Sequence, residues 1–309
     1  MSLISWLKNA IIFGLLFFVI DFGISTVLLT GLNKYFGLDS NANILLNGSS
    51  MSLAGFDKVK IEKATNDKVA FYSRNGVSLE DRSTMLKHYF NQSTRKTEIV
   101  VLEVNPLLFS KKFTAANVYR LFLPFMDDAA IDDFVKSKTT TKDYWVRKLI
   151  RTSRYDIDLF SLSLKGYMGV YENKKTQVLD PNALAGLRAN ANTVPVEFDA
   201  ERVALFKETI ELAKRRSEKI VLVNMPIFDT KMKTFKVEEY QVFLNFFKDY
   251  AKTHQNFYFL DLNQQHIISN PNLFSDPLHV NVDGQTEVSD ALVKFLVSNN
   301  LILQKQSPQ

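Results

Sequence analysis

Ile44-Leu45-Leu46-Asn47-Gly48-Ser49-Ser50-Met51-Ser52 reads as a short apolar strand ending in a glycine turn, followed by a helical pattern from about Asp57. Glycine lets the backbone turn tightly. A serine just after it stands at the strand's carboxyl end beside a helix start, where its own amide can help hold an oxyanion. The same rhythm repeats downstream. Val69–Ser73, Ile99–Val104, Ile220–Asn224 and Phe257–Asp261 are short runs rich in β-branched and aromatic residues, as expected of strands buried on both faces. Helical patterns occupy about 57–66, 78–92, 200–217, 236–254 and 284–299. This alternation predicts an α/β fold with a doubly wound parallel sheet, whose ligands bind beyond the carboxyl ends of the strands.

The 309 residues, 46% hydrophobic and 23% charged, suffice for one large domain or two small ones. The net charge of +5 is spread among 33 acidic residues, with no Lys/Arg block interleaved with aromatics, so no nucleic-acid partner is expected. The absence of cysteine excludes disulfides, thiolate catalysis and Cys-ligated zinc. Four histidines (His88, His254, His266 and His279) without HxH or HExxH spacing point to no metal site. His88 is expected on the surface of its helix, His254 at a helix end where a cation suits the dipole, and His266 in a polar loop.

After a short flank, residues 1–9, the segment Ala10–Leu32 holds 23 residues with a single charge, enough to cross a hydrocarbon core of about 30 Å. Its exit has no small-x-small cleavage site, so an uncleaved transmembrane anchor is expected, with the folded domain outside the cytoplasm. Asp21 is the odd residue there. Gly14, Asp21 and Ser25 share one face, a small and polar stripe suited to contact with another membrane helix. An acid tolerated without function is the alternative reading. The domain proper is taken as 33–303, with 304–309 a disordered tail. Within it, about 106–198 breaks the rhythm: helical over Thr114–Val135 and Tyr144–Met168, then polar from Glu172 to Thr193. This insertion is read as a lid or docking element over the active-site edge, or else as a separate domain.

Ser275-Asp276-Pro277-Leu278-His279 follows the last strand and precedes the last helix. Asp and His three apart on one turn can lie side by side, so that the carboxylate orients one imidazole nitrogen while the other faces a serine. Ser50, Asp276 and His279 are therefore the expected triad. Arg74 and Asn75 are weaker candidates for binding an anionic substrate.

Gly48-Ser49-Ser50 after the first strand and Asp276-x-x-His279 before the last helix resemble the first and last blocks of the SGNH/GDSL hydrolase superfamily. Ser49 stands where that family more often has Asp. The resemblance implies a flavodoxin-like, SGNH hydrolase-like α/β fold with Ser50 as nucleophile. It also implies an oxyanion hole from the amides of Ser50 and Gly76 and the side chain of Asn105, although the glycine usual before that Asn is absent. The layout is similar to the membrane-anchored DltD-like envelope acyl-transfer proteins. That likeness implies a cofactor-free serine esterase or O-acyltransferase acting on an acylated polysaccharide or teichoic-acid-like polymer. Its implied partners are the membrane and a membrane-bound O-acyltransferase. A catalytically weak scaffold for such an acyltransferase is the alternative.

Overall fold

A computed structural model describes residues 2–111, 118–171, 174–180, 185 and 193–302. The chain divides into two compact units, Met1–Asp39 with Asn117–Val170, and Ser40–Ala116 with Tyr171–Gln309.

In the larger unit five parallel strands, β1 (Ile44–Gly48), β2 (Val69–Ser73), β3 (Thr97–Val104), β4 (Ser217–Asn224) and β5 (Phe257–Asp261), pair in the order β2-β1-β3-β4-β5. The expected doubly wound α/β fold is the one adopted, in the order whose crevice lies between β1 and β3. Every residue of β1 and β2 is buried, which explains their unbroken apolar runs. Because all strands point the same way, the segments that follow Gly48, Ser73 and Val104 emerge at one edge of the sheet.

Side-chain caps set the helix starts. Ser49 caps α2 (Ser50–Gly55), Asp57 caps α3 (Lys58–Thr65), and Ser78 with Asp81 forms a capping box on α4 (Leu79–Gln92). The last helix, Val282–Ser298, is held to α2 and α3 by Gln285 Nε2, which donates to the carbonyls of Ala54 and Phe56. In addition, the Asp57 amide donates to Ser289 Oγ. His88, expected at the surface, is instead 1% exposed: its Nδ1 lies 3.0 Å from Tyr72 Oη. A polar partner inside makes the burial of that ring affordable.

In the smaller unit α1 (Leu3–Phe36) is one helix of 34 residues, longer than the expected Ala10–Leu32 and long and apolar enough to cross a membrane. The insertion's helical interval is broken rather than continuous. Val118–Phe125 is a 3-10 segment containing Pro124. It is followed by α5 (Ala129–Lys138), α6 (Thr141–Leu149), a 3-10 turn at Arg151–Arg154, and α7 (Ile157–Met168). Proline lacks the N–H a helix needs, and Asp128, Thr140 and Asp156 each start a new helix by accepting its first free amides.

The described residues of the insertion also do not stay together: 118–170 belong with α1, and 171, 174–180, 185 and 193–198 with the sheet unit. Within the smaller unit α7 runs along α1 so closely that a Cβ on Gly166 would lie 1.9 Å from Gly31 O. The start of the helical interval at Thr114, most of the polar stretch Glu172–Thr193 and the tail 304–309 lie outside the described residues.

Candidate active site

The turn that carries Ser50 is built around a buried acid. Gly48 ends β1 so close to its neighbours that a Cβ there would meet Ser52 Cβ at 2.4 Å and Glu103 Oε2 at 2.6 Å. Glu103, 1% exposed near the end of β3, explains the crowding. Its Oε2 accepts the amides of Ser49 (2.6 Å) and Ser52 (3.0 Å), and its Oε1 accepts the Ser49 hydroxyl (2.7 Å) and Asn105 Nδ2 (2.9 Å). The Ser49 hydroxyl also accepts the Met51 amide and caps α2. The effect is to pin the turn on both sides of Ser50 and leave Ser50 at the first position of the helix.

His279 reaches Ser50 through a short hairpin, in which Asp276 pairs with His279. Asp276 Oδ1 accepts the amides of Leu278 and His279, both at 3.0 Å, which folds the tetrapeptide into an Asx-type turn. The same carboxylate lies 2.8 Å from His279 Nδ1, and His279 Nε2 lies 2.8 Å from Ser50 Oγ. The Asp276 carboxylate, the His279 imidazole and the Ser50 hydroxyl thus lie in one continuous chain of contacts. Burial by itself would raise the Asp276 pKa. The hydrogen bond and charge of His279, the Leu278 amide and Lys175 at 3.2 Å outweigh it and hold the carboxyl well below its usual range.

Ser50, Gly76, Asn105 and His279 line one cavity of about 350 Å³. Gly76 has φ 74°, a left-handed conformation that glycine adopts without strain. Asn105 donates one amide hydrogen to Glu103 and accepts the Leu107 amide on its Oδ1, leaving a second hydrogen for the cavity. Arg74 and Asn75 are not among the lining residues. The cationic walls are Arg82 and Arg202 instead, and neither stands out in the sequence. Arg82 donates to the Glu103 carbonyl; burial pushes its guanidinium down from its ordinary value while Glu103 pulls it back. Met51, Val77, Leu79, Leu107, Ile227 and Leu278 supply apolar surface. Glu103 did have a signal in the sequence: a lone acid near the end of the otherwise apolar run Ile99–Val104.

The membrane-facing candidates lie in the smaller unit. Gly14 has no neighbour within 4 Å of a built Cβ. Asp21 and Ser25 are 4% exposed, but what covers them is their own chain. Asp21 accepts the amides of Arg151 (2.7 Å) and Thr152 (2.8 Å) and the Thr152 hydroxyl (2.5 Å), and Tyr155 Oη donates to Ser25 O at 3.0 Å. The donors expected from a foreign helix are supplied from within. Among the described residues no cluster of His, Asp and Glu has the makings of a metal site.

No family model matches the sequence, and no curated protein matches it. Solved structures are similar to the chain only at low identity and low TM-score. A protein from Streptococcus pneumonia, provisionally described as a platelet activating factor, is 11% identical over 86% of this chain and 91% of its own, with a TM-score of 0.43. A family two carbohydrate esterase from Clostridium thermocellum is 11% identical over 83% of this chain and 64% of its own (TM-score 0.42). The C-terminal catalytic domain of Streptococcus pneumoniae peptidoglycan O-acetyltransferase A is 12% identical over 84% and 96% (TM-score 0.37). Likenesses of this size concern layout alone; the chemistry rests on the side chains described above.

Proposed function

We propose that this protein is a serine esterase or O-acyltransferase, tethered by α1 with its catalytic unit outside the cytoplasm, and that it works on acyl groups of a cell-envelope glycopolymer. The observation that carries the reading is the unbroken relay Asp276–His279–Ser50, with both contacts at 2.8 Å, opening on a cavity that Gly76 and Asn105 also line. Ser50 Oγ attacks the acyl carbonyl while His279 Nε2 takes its proton, and Asp276 steadies the imidazolium that forms. Negative charge gathers on the carbonyl oxygen, where the amides of Ser50 and Gly76 and the Asn105 side chain are the available donors. Collapse breaks the ester bond, His279 returns the proton to the departing hydroxyl, and the acyl group stays on Ser50. Water or a sugar hydroxyl, deprotonated by His279, then takes it.

The direct hydrogen bond between His279 and Ser50 favours an enzyme over a scaffold that has kept only the fold. The apolar wall suits an acyl chain, and Arg82 and Arg202 suit an anionic polymer. A membrane-bound O-acyltransferase is the partner class this reading implies. The test is covalent labelling of the full-length protein by a fluorophosphonate probe. Labelling at Ser50, lost in Ser50→Ala, is the expected result. Unchanged labelling in Ser50→Ala would remove the assignment and move suspicion to Ser49 and Ser52.

A further inference from the structure

The smaller unit carries more apolar surface than a tether needs. On α7, Ile157, Phe160, Leu164, Tyr167 and Met168 are 42–77% exposed. At 100° per residue these side chains fall within about 100° of one another, an apolar stripe with Tyr167 at its edge reaching back to α1. The opposite face, Leu159, Leu162, Ser163 and Gly166, is the buried one. On α6, Trp145, Val146 and Leu149 are also exposed, at 56, 40 and 62%. Water-facing helices do not carry two apolar faces without a reason.

Position supplies the reason. The turn Arg151–Arg154 meets α1 at Asp21, Tyr155 meets it at Ser25, Tyr167 Oη donates to Val27 O, and Gly166 lies against Gly31. The outer faces of α6 and α7 thus continue a surface that starts with the exposed Phe22, Ile24 and Val27 of α1. At 1.5 Å per residue the 34 residues of α1 measure roughly 50 Å, against about 30 Å of hydrocarbon and about 40–45 Å with headgroups. A span that uses the first twenty or so residues brings the Asp21–Phe36 half, and the helices packed on it, out at headgroup level.

The chemistry fits that depth. Trp145 and Tyr167 are residues of aromatic belts, and Lys142, Arg147 and Lys165 stand on the same two helices, where cations meet anionic headgroups. The carboxylate of Asp21 is shielded from lipid by three donors of its own chain.

We propose that α6 and α7 form a membrane-interface platform, with Trp145, Leu149, Ile157, Phe160, Leu164 and Met168 laid into the leaflet from which α1 emerges. The proposal rests on reading α1 as the anchor, and the two ideas separate experimentally because the chain has two tryptophans, Trp6 in α1 and Trp145 in α6. Trp145→Phe leaves Trp6 as a reporter of the span, and Trp6→Phe leaves Trp145 as a reporter of the platform. Each full-length variant is reconstituted into phosphatidylcholine–phosphatidylglycerol vesicles containing lipids brominated near the headgroup or near the chain end.

Contact quenching of Trp6 establishes the span; its absence refutes the anchor. With Trp6 quenched, the platform requires that Trp145 lose most of its emission to bromine, more to the shallow label than to the deep one. Its emission should also resist iodide, because an indole lodged about 5–10 Å into the interface is withdrawn from water. Trp145 emission that is indifferent to bromine and open to iodide would overturn the platform and leave the face to water or to a protein partner.

Discussion

A serine hydroxyl is a weak nucleophile until a base within hydrogen-bond reach takes its proton. In the proposed function that base is His279, 2.8 Å from Ser50 Oγ, and the residues that keep the pair aligned lie behind them. Glu103 gathers the amides of Ser49 and Ser52 and the Asn105 side chain onto one buried carboxylate. Glu103→Gln replaces one accepting oxygen with a donor that faces other donors. It should cost about 1.5–3 kcal/mol of stability, the usual size for a hydrogen bond to a charged group, read as a lowered unfolding midpoint. Asn105→Ala removes a candidate oxyanion donor, and kcat should fall on the order of a hundredfold with KM little changed. A raised KM at full kcat would make Asn105 a substrate contact instead. Asp276, held below the usual carboxylate range, stays charged throughout the range in which imidazole titrates. Asp276 should therefore add no protonation step to the pH dependence of activity between about pH 5 and 8. Asp276→Asn should lower the plateau without steepening that dependence.

Among the elements, α1 behaves as two helices joined end to end: a first half open on all sides and a second half whose Asp21, Ser25, Leu28, Gly31 and Leu32 face is covered by its own chain. Asp21 marks the boundary. Asp21→Leu strands the amides of Arg151 and Thr152 and the Thr152 hydroxyl, each such buried donor costing about 1–3 kcal/mol. The turn at 150–156 should loosen and be cut faster by protease in reconstituted protein, while labelling of Ser50 stays normal. Equal cleavage of the two forms would show that the acid is merely tolerated and that the three contacts contribute nothing.

For the molecule as a whole, the positive balance of +5 and the two arginines on the cavity wall favour an anionic polymer at the cavity. Salt screens such attraction, so KM for an anionic acylated polymer should rise with ionic strength while KM for a small neutral ester stays flat. The same flat response for both substrates would remove charge from the account of specificity. The strands, the helical intervals between them and the Asp276–His279 turn were legible in the residues because each is written locally. Five short apolar runs, helical periodicity between them, and an Asp three before a His need no distant neighbour to be read. The burial of His88, the role of Glu103 and the division of the insertion were not. Tyr72 and His88 are 16 positions apart, Glu103 and Ser49 are 54 apart, and Asp21 and Thr152 are 131 apart. A polar side chain in an apolar run reads in sequence only as an unmet need; which residue meets it is decided when folding brings the distant donor to it.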